Sequence, residues 1–215
     1  MPSEPGDPKG IRTGPVAGVL LAAGTSSRMG SNKMLFALAG ESVLRGAARR
    51  ALAGGLAPLV VVLGHQAETA REQLAGLPCR SVINPDYEQG INTSLKTGIA
   101  AVVALPEMPR AALVMLADMP FVTAEMIAAL IARYRSSAAP LVISDYEGVN
   151  APPMLYDRSL FQELGAMTGE GCGRQVVKRY RGEAEVLPWP AAALADLDVP
   201  DDYERISRRS LQEVE

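Results

Sequence analysis

A stretch of small and basic residues, LLAAGTSSRMGSNK at residues 20–33, follows the first apolar run of the chain. The small residues Ala23 and Gly24 leave room for backbone amides to approach phosphate oxygens, and glycine can adopt a positive φ. Arg28 and Lys33 carry the positive charge that a triphosphate requires. The stretch therefore predicts a phosphate-binding loop, and an ordinary strand-to-helix turn with solvated basic side chains is the alternative.

The spacing of this loop differs from the two common phosphate-binding patterns. The loop does not read GxxxxGK[ST], the pattern of P-loop proteins. It also lacks GxGxxG with an acidic ribose ligand about 20 residues further on, the pattern of dinucleotide-binding proteins. The residues therefore indicate nucleotide binding by a loop of another kind.

An acidic residue ends the fourth apolar run, where LADMP places Asp118 directly after residues 112–117. Pro120 has no amide hydrogen, so the chain is not expected to continue there as a paired strand. A carboxylate at the carboxyl end of a buried strand can bind Mg²⁺, which prefers oxygen ligands and keeps substrate phosphates in its coordination shell. Asp118 is therefore a predicted metal ligand and catalytic residue, and a helix-capping or turn role is the alternative.

The segment NPDYEQGINTSLKTG at residues 84–98 carries a second set of polar candidates. Asn84 follows an apolar run and is a candidate ligand of the base or ribose, while Gly90 permits close approach of a ligand. A helix predicted to begin near Thr93 places Ser94 at its N-terminus, which suits an anion. Thr93 as an N-cap is the alternative for these hydroxyls. Lys96 is assigned to the phosphate of the acceptor, with a solvated helical lysine as the alternative.

Apolar runs rich in β-branched residues alternate with stretches of helical spacing over residues 16–143. Such alternation is typical of right-handed βαβ units, in which helices cover both faces of a parallel sheet. The sequence therefore predicts an α/β fold with three layers. Strands are predicted at residues 16–22, 58–63, 79–83, 112–117 and 140–143, and helices at residues 42–54, 66–74, 93–105 and 123–134.

The alternation weakens after about residue 150, and this part is expected to complete the sheet and close over a cleft. A chain of 215 residues is enough for one core. We therefore expect a single domain over residues 15–215, after a disordered tail at residues 1–14. Strands are predicted in the C-terminal part at residues 154–156 and 184–187, and helices at residues 159–165, 173–180 and after Asp198.

Composition excludes several classes of protein. A net charge of -3 offers no electrostatic footprint for nucleic acid or an anionic membrane. Cys79 and Cys172 lie far apart and His65 is the single histidine, so neither a disulfide framework nor a zinc site is supported. His65 is assigned a structural role in a turn. The short apolar runs and the polar N-terminus predict a cytoplasmic protein without a membrane span or signal peptide.

These motifs, taken in order, resemble the molybdopterin nucleotidyltransferase-like family, the MobA-like NTP transferases. The family includes the cytidylyltransferase and the guanylyltransferase of molybdenum cofactor biosynthesis, and the resemblance covers nearly all of residues 16–206. It is closest to the cytidylyltransferase. The matching segments are LAAG at residues 21–24, RMG at 28–30, Lys33, VVVLGHQ at 60–66, NPDYEQGINTSLKTGI at 84–99, LADMPFV at 116–122 and DLDVPDDY at 196–203.

The resemblance implies a Rossmann-like, GT-A-like nucleotidyltransferase fold, with a mostly parallel sheet and the triphosphate at its carboxyl edge. It implies that Asp198 binds Mg²⁺ together with Asp118, with Asp196 as the neighbouring competitor. Asp201 and Asp202 suit the first turn of a last helix instead. Arg28, Lys33 and Asp118 are the implied catalytic residues, and Lys96 and Arg174 the acceptor contacts. The implied nucleotide-binding residues are Leu21, Ala22, Ala23, Gly24, Arg28, Lys33, Asn84, Gly90 and Ser94.

The resemblance also implies the substrates. Ala23 before Gly24 resembles the cytidylyl branch, whereas residues 28–30 are shared with the guanylyl branch, so CTP is favoured over GTP. The expected acceptor is a phosphorylated small molecule such as molybdopterin, with a molybdenum enzyme as recipient of the product. The chain departs from the family at VNAP (149–152) and GEGCGR (169–174), where the acceptor is expected to bind. A sugar-phosphate nucleotidyltransferase and a non-catalytic accessory protein for molybdenum enzymes therefore remain alternatives.

Overall fold

The computed structural model describes residues 12–24, 32–167 and 170–196. Most of its strands follow the predicted positions, and three short ones are additional. The strands are β1 (Val16–Ala22), β2 (Ala37–Leu38), β3 (Glu41–Ser42), β4 (Leu59–Leu63), β5 (Cys79–Ile83), β6 (Ala111–Leu116), β7 (Leu141–Tyr146), β8 (Val149–Asn150), β9 (Met154–Asp157) and β10 (Glu185–Trp189). The pair β2–β3 forms a separate small hairpin, and β8 pairs with the end of β7.

Within the described ranges, six α-helices connect these strands, and Ser42 and Thr123 cap two of them as their residue types favour. Ser42 Oγ accepts a hydrogen bond from the Arg45 amide at 3.2 Å, and Thr123 Oγ1 accepts one from the Met126 amide at 3.3 Å. The helices are α1 (Val43–Ala53), α2 (Ala67–Glu72), α3 (Ile91–Val103), α4 (Ala124–Ser136), α5 (Phe161–Ala166) and α6 (Arg174–Tyr180).

The main sheet has the strand order β10-β7-β9-β6-β1-β4-β5. Strands β1, β4, β5 and β6 are mutually parallel, and β10 is parallel to β7. Strand β9 runs antiparallel between β6 and β7. The predicted α/β fold with a mostly parallel central sheet is therefore confirmed.

The sheet separates two apolar clusters, which gives the three predicted layers. Side chains of β1 alternate between them, with Val16 and Leu20 in one cluster and Val19 and Leu21 in the other. The first cluster includes residues of α1, α2 and α4, and the second includes residues of α3, α5 and α6. Every residue of β1 is buried, as expected for a central strand that has helices on both faces.

Two local predictions differ from the structure. Helix α3 begins at Ile91, and its N-cap is Gly90 with φ 107°. Thr93 is therefore not the N-cap, because it lies within the first turn and its hydroxyl donates to the Gly90 carbonyl oxygen at 2.8 Å.

Ordered contacts also begin before residue 15. The Arg12 guanidinium donates to the carbonyl oxygens of Ala138 and Ala139, so the predicted tail includes a residue that packs on the domain.

Across the described ranges, no helix combines the length and the apolar character that crossing a membrane requires. The longest helices, α3 and α4, have 13 residues each. A helix of that length spans about 20 Å, which is shorter than the hydrocarbon thickness of a bilayer.

Candidate nucleotide-binding site and acceptor cleft

The carboxyl ends of four parallel strands meet at one edge of the sheet. Ala23 follows β1, His65 lies just beyond β4, Asn84 follows β5 and Asp118 lies just beyond β6. The His65 amide donates to the Ala23 carbonyl oxygen at 3.3 Å, which joins two of these connections directly. The edge is therefore the place where ligands bind in open α/β sheets.

Lys33 and Asp118 form an ion pair at this edge. Lys33 Nζ lies 2.5 Å from Asp118 Oδ2, and the side chains are only 10% and 17% exposed. The two residues predicted as a phosphate contact and a metal ligand are thus brought together. A short charge-assisted contact of this kind holds both side chains in place.

Asn32, a residue that was not predicted from the sequence, positions Lys33. Its Oδ1 accepts a hydrogen bond from the Met34 amide at 3.1 Å and so caps the 3₁₀ turn Lys33–Leu35. Its Nδ2 donates to the His65 carbonyl oxygen at 3.2 Å, and the residue is 3% exposed. An asparagine directly before a short helical turn is a capping signal that was visible in the sequence. His65 contributes through its backbone, in line with the structural role assigned to it.

Asp118 places a carboxylate at this edge that could hold a divalent cation. Mg²⁺ is often bound by one or two carboxylates together with substrate phosphates, so a single carboxylate here fits such a site. The described ranges contain no group of three or more His, Cys, Asp or Glu side chains that would bind a metal without substrate. The second predicted metal ligand, Asp198, and the predicted phosphate contact Arg28 lie outside the described residues.

Asn84 and Ser94 occupy buried positions that connect β5 to α3. Asn84 Nδ2 donates to Thr93 Oγ1 at 2.8 Å and to Ser94 Oγ at 3.0 Å, and Asn84 Oδ1 accepts from the Asp86 amide at 3.0 Å. The two residues are 1% and 5% exposed. These bonds hold the first turn of α3 against the end of β5, so Asn84 is placed to shape the edge of the sheet rather than to offer an exposed amide.

Gly90 is close to another part of the chain, the segment that departs from the family pattern. A Cβ atom built on Gly90 would lie 2.6 Å from Glu170 Oε1. Asn92 Nδ2 donates to the Glu170 carbonyl oxygen at 3.2 Å, and Asn92 Oδ1 accepts from the Gly173 amide at 3.1 Å. Asn92 therefore fixes the segment 170–173 on the start of α3, and no local sequence pattern indicated this contact.

A cleft of about 730 Å³ lies between this segment, the β8 region and α6. Arg174, the predicted acceptor contact, lines it, and Lys96 does not. Cys172 also lines the cleft, and burial, followed by the charge of Asp118, raises the pKa of its thiol to about 12. The cleft adjoins the carboxyl edge of the sheet through the start of α3, where Asn92 bonds to Glu170 of the cleft lining and Thr93 and Ser94 bond to Asn84 at the end of β5.

Several known proteins are similar to this chain over most of its length. The purine catabolism protein PucB of Bacillus subtilis is 27% identical over 92% of this chain and 98% of its own. Nicotine blue oxidoreductase of Paenarthrobacter nicotinovorans is 30% identical over 81% of this chain and 83% of its own.

Rv0371c of Mycobacterium tuberculosis has a similar structure, with a TM-score of 0.81 and 26% identity over 92% of this chain and all of the other. A crystal structure of Rv0371c in complex with manganese is also similar, with a TM-score of 0.74 and 25% identity over 90% of this chain and 98% of the other. The model of the MobA-like NTP transferase domain matches residues 18–185, and this range contains the Lys33–Asp118 pair and every residue that lines the cleft. The chain therefore belongs to the MobA-like NTP transferase family, a family of nucleotidyltransferases.

Proposed function

We propose that the protein transfers CMP from CTP to the phosphate of a small acceptor, molybdopterin in the first instance, and releases pyrophosphate. The observation that carries the proposal is the Lys33–Asp118 ion pair of 2.5 Å, placed at the carboxyl edge of the sheet beside a cleft. A cation and a carboxylate side by side suit a triphosphate and its accompanying metal ion. CTP is preferred to GTP because Ala23 precedes Gly24, as in the cytidylyl branch of the family.

The proposed roles of the residues follow from their positions. Lys33 donates to oxygens of the triphosphate and stabilises the negative charge that develops during transfer. Asp118 binds Mg²⁺, which when bound polarises the phosphate oxygens and offsets their charge. We assign the second metal ligand to Asp198 and a further phosphate contact to Arg28. Residues 21–24 contribute backbone contacts to the nucleotide, and Gly90 and the buried Asn84 and Ser94 shape the edge beside it.

The proposed chemistry is an in-line substitution at the α-phosphorus. An acceptor phosphate oxygen forms a new bond to this atom, and the bond from it to the oxygen that bridges to the β-phosphorus breaks. The electron pair of the broken bond leaves with pyrophosphate. A phosphate monoester is already ionised near neutral pH, so the acceptor needs no general base, and the protein contributes positioning and charge stabilisation.

The cleft beside Cys172 is the proposed acceptor site. Arg174 contacts the acceptor phosphate there, because it lines the cleft and forms no ion pair within the described residues. Lys96 lies outside the lining of the cleft, so its proposed acceptor role is the weaker of the two. A molybdenum enzyme is the proposed recipient of the product.

Pyrophosphate release tests this proposal. The protein is supplied with each of the four ribonucleoside triphosphates and Mg²⁺, with and without molybdopterin, and Asp118→Asn serves as the inactive control. Release with CTP that requires molybdopterin supports the proposal. Release with phosphorylated sugars instead supports a sugar-phosphate nucleotidyltransferase. No release with any acceptor, together with CTP binding, supports a non-catalytic accessory protein.

A further inference from the structure

One face of α6 and of the turn after it presents three basic residues to the cleft. Arg174, Lys178 and Arg181 all line it. Residues four and seven positions apart lie on the same face of a helix. At 1.5 Å of rise per residue, Lys178 lies about 6 Å and Arg181 about 10 Å from Arg174 along this face.

The basic residues that face the cleft differ from those that face away from it. Arg179, next to Lys178 in the same helix, forms an ion pair with Glu163, with Arg179 Nη1 2.5 Å from Glu163 Oε1. In the part of the chain that the structure describes, Arg174 and Lys178 form no ion pair with a carboxylate. The Arg181 guanidinium donates to Asn150 Oδ1, which is an uncharged oxygen. The positive charges of these three residues are therefore available to bind an anionic ligand in the cleft.

The acidic residue that lines the cleft forms no ion pair with these cations within the described residues. Glu170 is the one carboxylate that lines the cleft within the described residues. Its carboxylate lies against Gly90 at the start of α3, where a Cβ atom built on Gly90 would be 2.6 Å from Glu170 Oε1. Like charges one helical turn apart repel each other, so an anion bound between them relieves an unfavourable arrangement.

Apolar side chains also line the cleft. They include Ile91, Val149, Pro152 and Met154, and Val149 is 50% exposed. An exposed apolar side chain inside a cleft favours a ligand with an apolar body, because contact with that body removes the side chain from water. A ligand of this cleft therefore combines anionic ends with an apolar middle.

We propose that Lys178 and Arg181 form a second anion subsite, so that the preferred acceptor carries a second anionic group in addition to the phosphate at Arg174. The two anionic groups are separated by roughly 6–10 Å, the span from Arg174 to Lys178 and Arg181 along a helix, and an apolar body joins them. This inference rests on the proposed function, because it takes the cleft to be the acceptor site.

Binding of two matched phosphate esters tests the inference without turnover. Butane-1,4-diyl bisphosphate has two anionic ends on a short apolar chain, and butyl phosphate has one. Calorimetric titration at low ionic strength measures both, because salt screens exposed charges. We expect the bisphosphate to bind about tenfold more tightly, the gain of one partly exposed charge-assisted contact. Lys178→Gln and Arg181→Gln are each expected to reduce this preference.

Arg179→Gln is the matched control, because it removes the same charge from the adjacent residue on the other side of α6. It is expected to keep the full preference for the bisphosphate. Equal affinity for the two esters, or the same loss in Arg179→Gln as in Lys178→Gln, overturns the inference. Weaker CTP binding in Lys178→Gln with unchanged bisphosphate binding overturns it too, since it assigns the lysine to the nucleotide. Failure of the proposed function is distinguishable, because it appears as absent CTP binding or absent pyrophosphate release while the preference for the bisphosphate persists.

Discussion

Lys33 Nζ and Asp118 Oδ2 lie 2.5 Å apart although the residues are separated by 85 positions in the chain. Lys33 follows β1 and Asp118 follows β6, and these strands are neighbours in the sheet with Leu21 paired to Leu116. The contact therefore depends on the parallel register of two strands. Both side chains are largely buried, so removal of either charge leaves the other less well compensated.

Separate effects on stability and activity are expected when this pair is changed. Asp118→Asn removes the carboxylate charge that lies 2.5 Å from the largely buried Lys33 ammonium, which should reduce the free energy of unfolding by about 1–3 kcal/mol. Turnover should fall to background. The double variant Lys33→Met with Asp118→Leu should regain much of this stability, because an apolar pair of similar size needs no counter-charge. Denaturant unfolding measures the first effect and pyrophosphate release the second.

An active double variant would contradict the assignment of the pair to phosphate and metal binding. Lys33→Met alone and Asp118→Leu alone are the two matching single variants, and together with the double variant and the unchanged protein they form a double-mutant cycle. A coupling energy near zero would indicate that the two charges do not interact in solution.

Loss of the Asn32 side chain is expected to reduce activity through Lys33. Asn32→Ala removes the cap of the turn Lys33–Leu35 and the bond to the His65 carbonyl oxygen, which should lower the free energy of unfolding by about 1 kcal/mol. KM for the triphosphate should rise, because Lys33 is no longer held at the edge of the sheet. Steady-state kinetics and thermal unfolding measure the two effects.

Asn32→Asp separates the two bonds of this side chain. Aspartate still accepts from the Met34 amide but cannot donate to the His65 carbonyl oxygen. An intermediate effect on KM is expected. Unchanged kinetics in both Asn32 variants would show that the position of Lys33 does not depend on this residue.

The central sheet was predictable from the sequence, whereas several contacts at the site were not. Strand β1 is buried on both faces, so its composition alone identifies it. The strands of the hairpin β2–β3 have two residues each, which is too short for an alternation of apolar and polar residues to be recognised. Asn92 contacts Glu170 across 78 positions, a distance at which spacing carries no signal. Lys33 and Asp118 were each predicted from their motifs, but their contact requires the strand order.

Gly90→Ala is expected to destabilise the protein mainly through its backbone conformation. Gly90 has φ 107° and ψ 163°, a region that only glycine occupies without strain. Alanine at this position should therefore lower the free energy of unfolding by about 1–3 kcal/mol. The added methyl group would also meet Glu170 Oε1, but that atom is the end of a side chain that can move. Thermal unfolding should therefore show the same loss in Gly90→Ala whether or not Glu170 is also changed to alanine.

Gly76→Ala is the matched control for this prediction. Gly76 has φ 78° with no atom near its Cβ position, so alanine there adds left-handed strain without a contact. A smaller loss than in Gly90→Ala is expected. If Glu170→Ala restored the stability of Gly90→Ala, the contact with the carboxylate, and not the backbone, would be the cause.

The Asp157 carboxylate is expected to stabilise the protein above about pH 4. Burial opposes its ionisation, but hydrogen bonds from Tyr134 and Ser159 and the charge of Arg12 outweigh burial and hold its pKa below the ordinary value. The Tyr134 hydroxyl donates to Asp157 Oδ2 at 2.5 Å. A lowered folded-state pKa gives stability that is present above the unfolded-state pKa and is lost as the pH falls through the folded-state pKa.

At pH 7 the free energy of unfolding of Asp157→Asn should therefore be about 1–2 kcal/mol lower than that of the unchanged protein, because a charged hydrogen-bond acceptor is lost. The difference should shrink as the pH falls below about 4, because protonation then removes the same charge from the unchanged protein. Denaturant unfolding from pH 7 to pH 3 measures this. Glu68→Gln is the control, since Glu68 is 74% exposed and its ion pair with Arg71 contributes little. A difference that stays constant over this pH range would show that the charge of Asp157 does not contribute to stability.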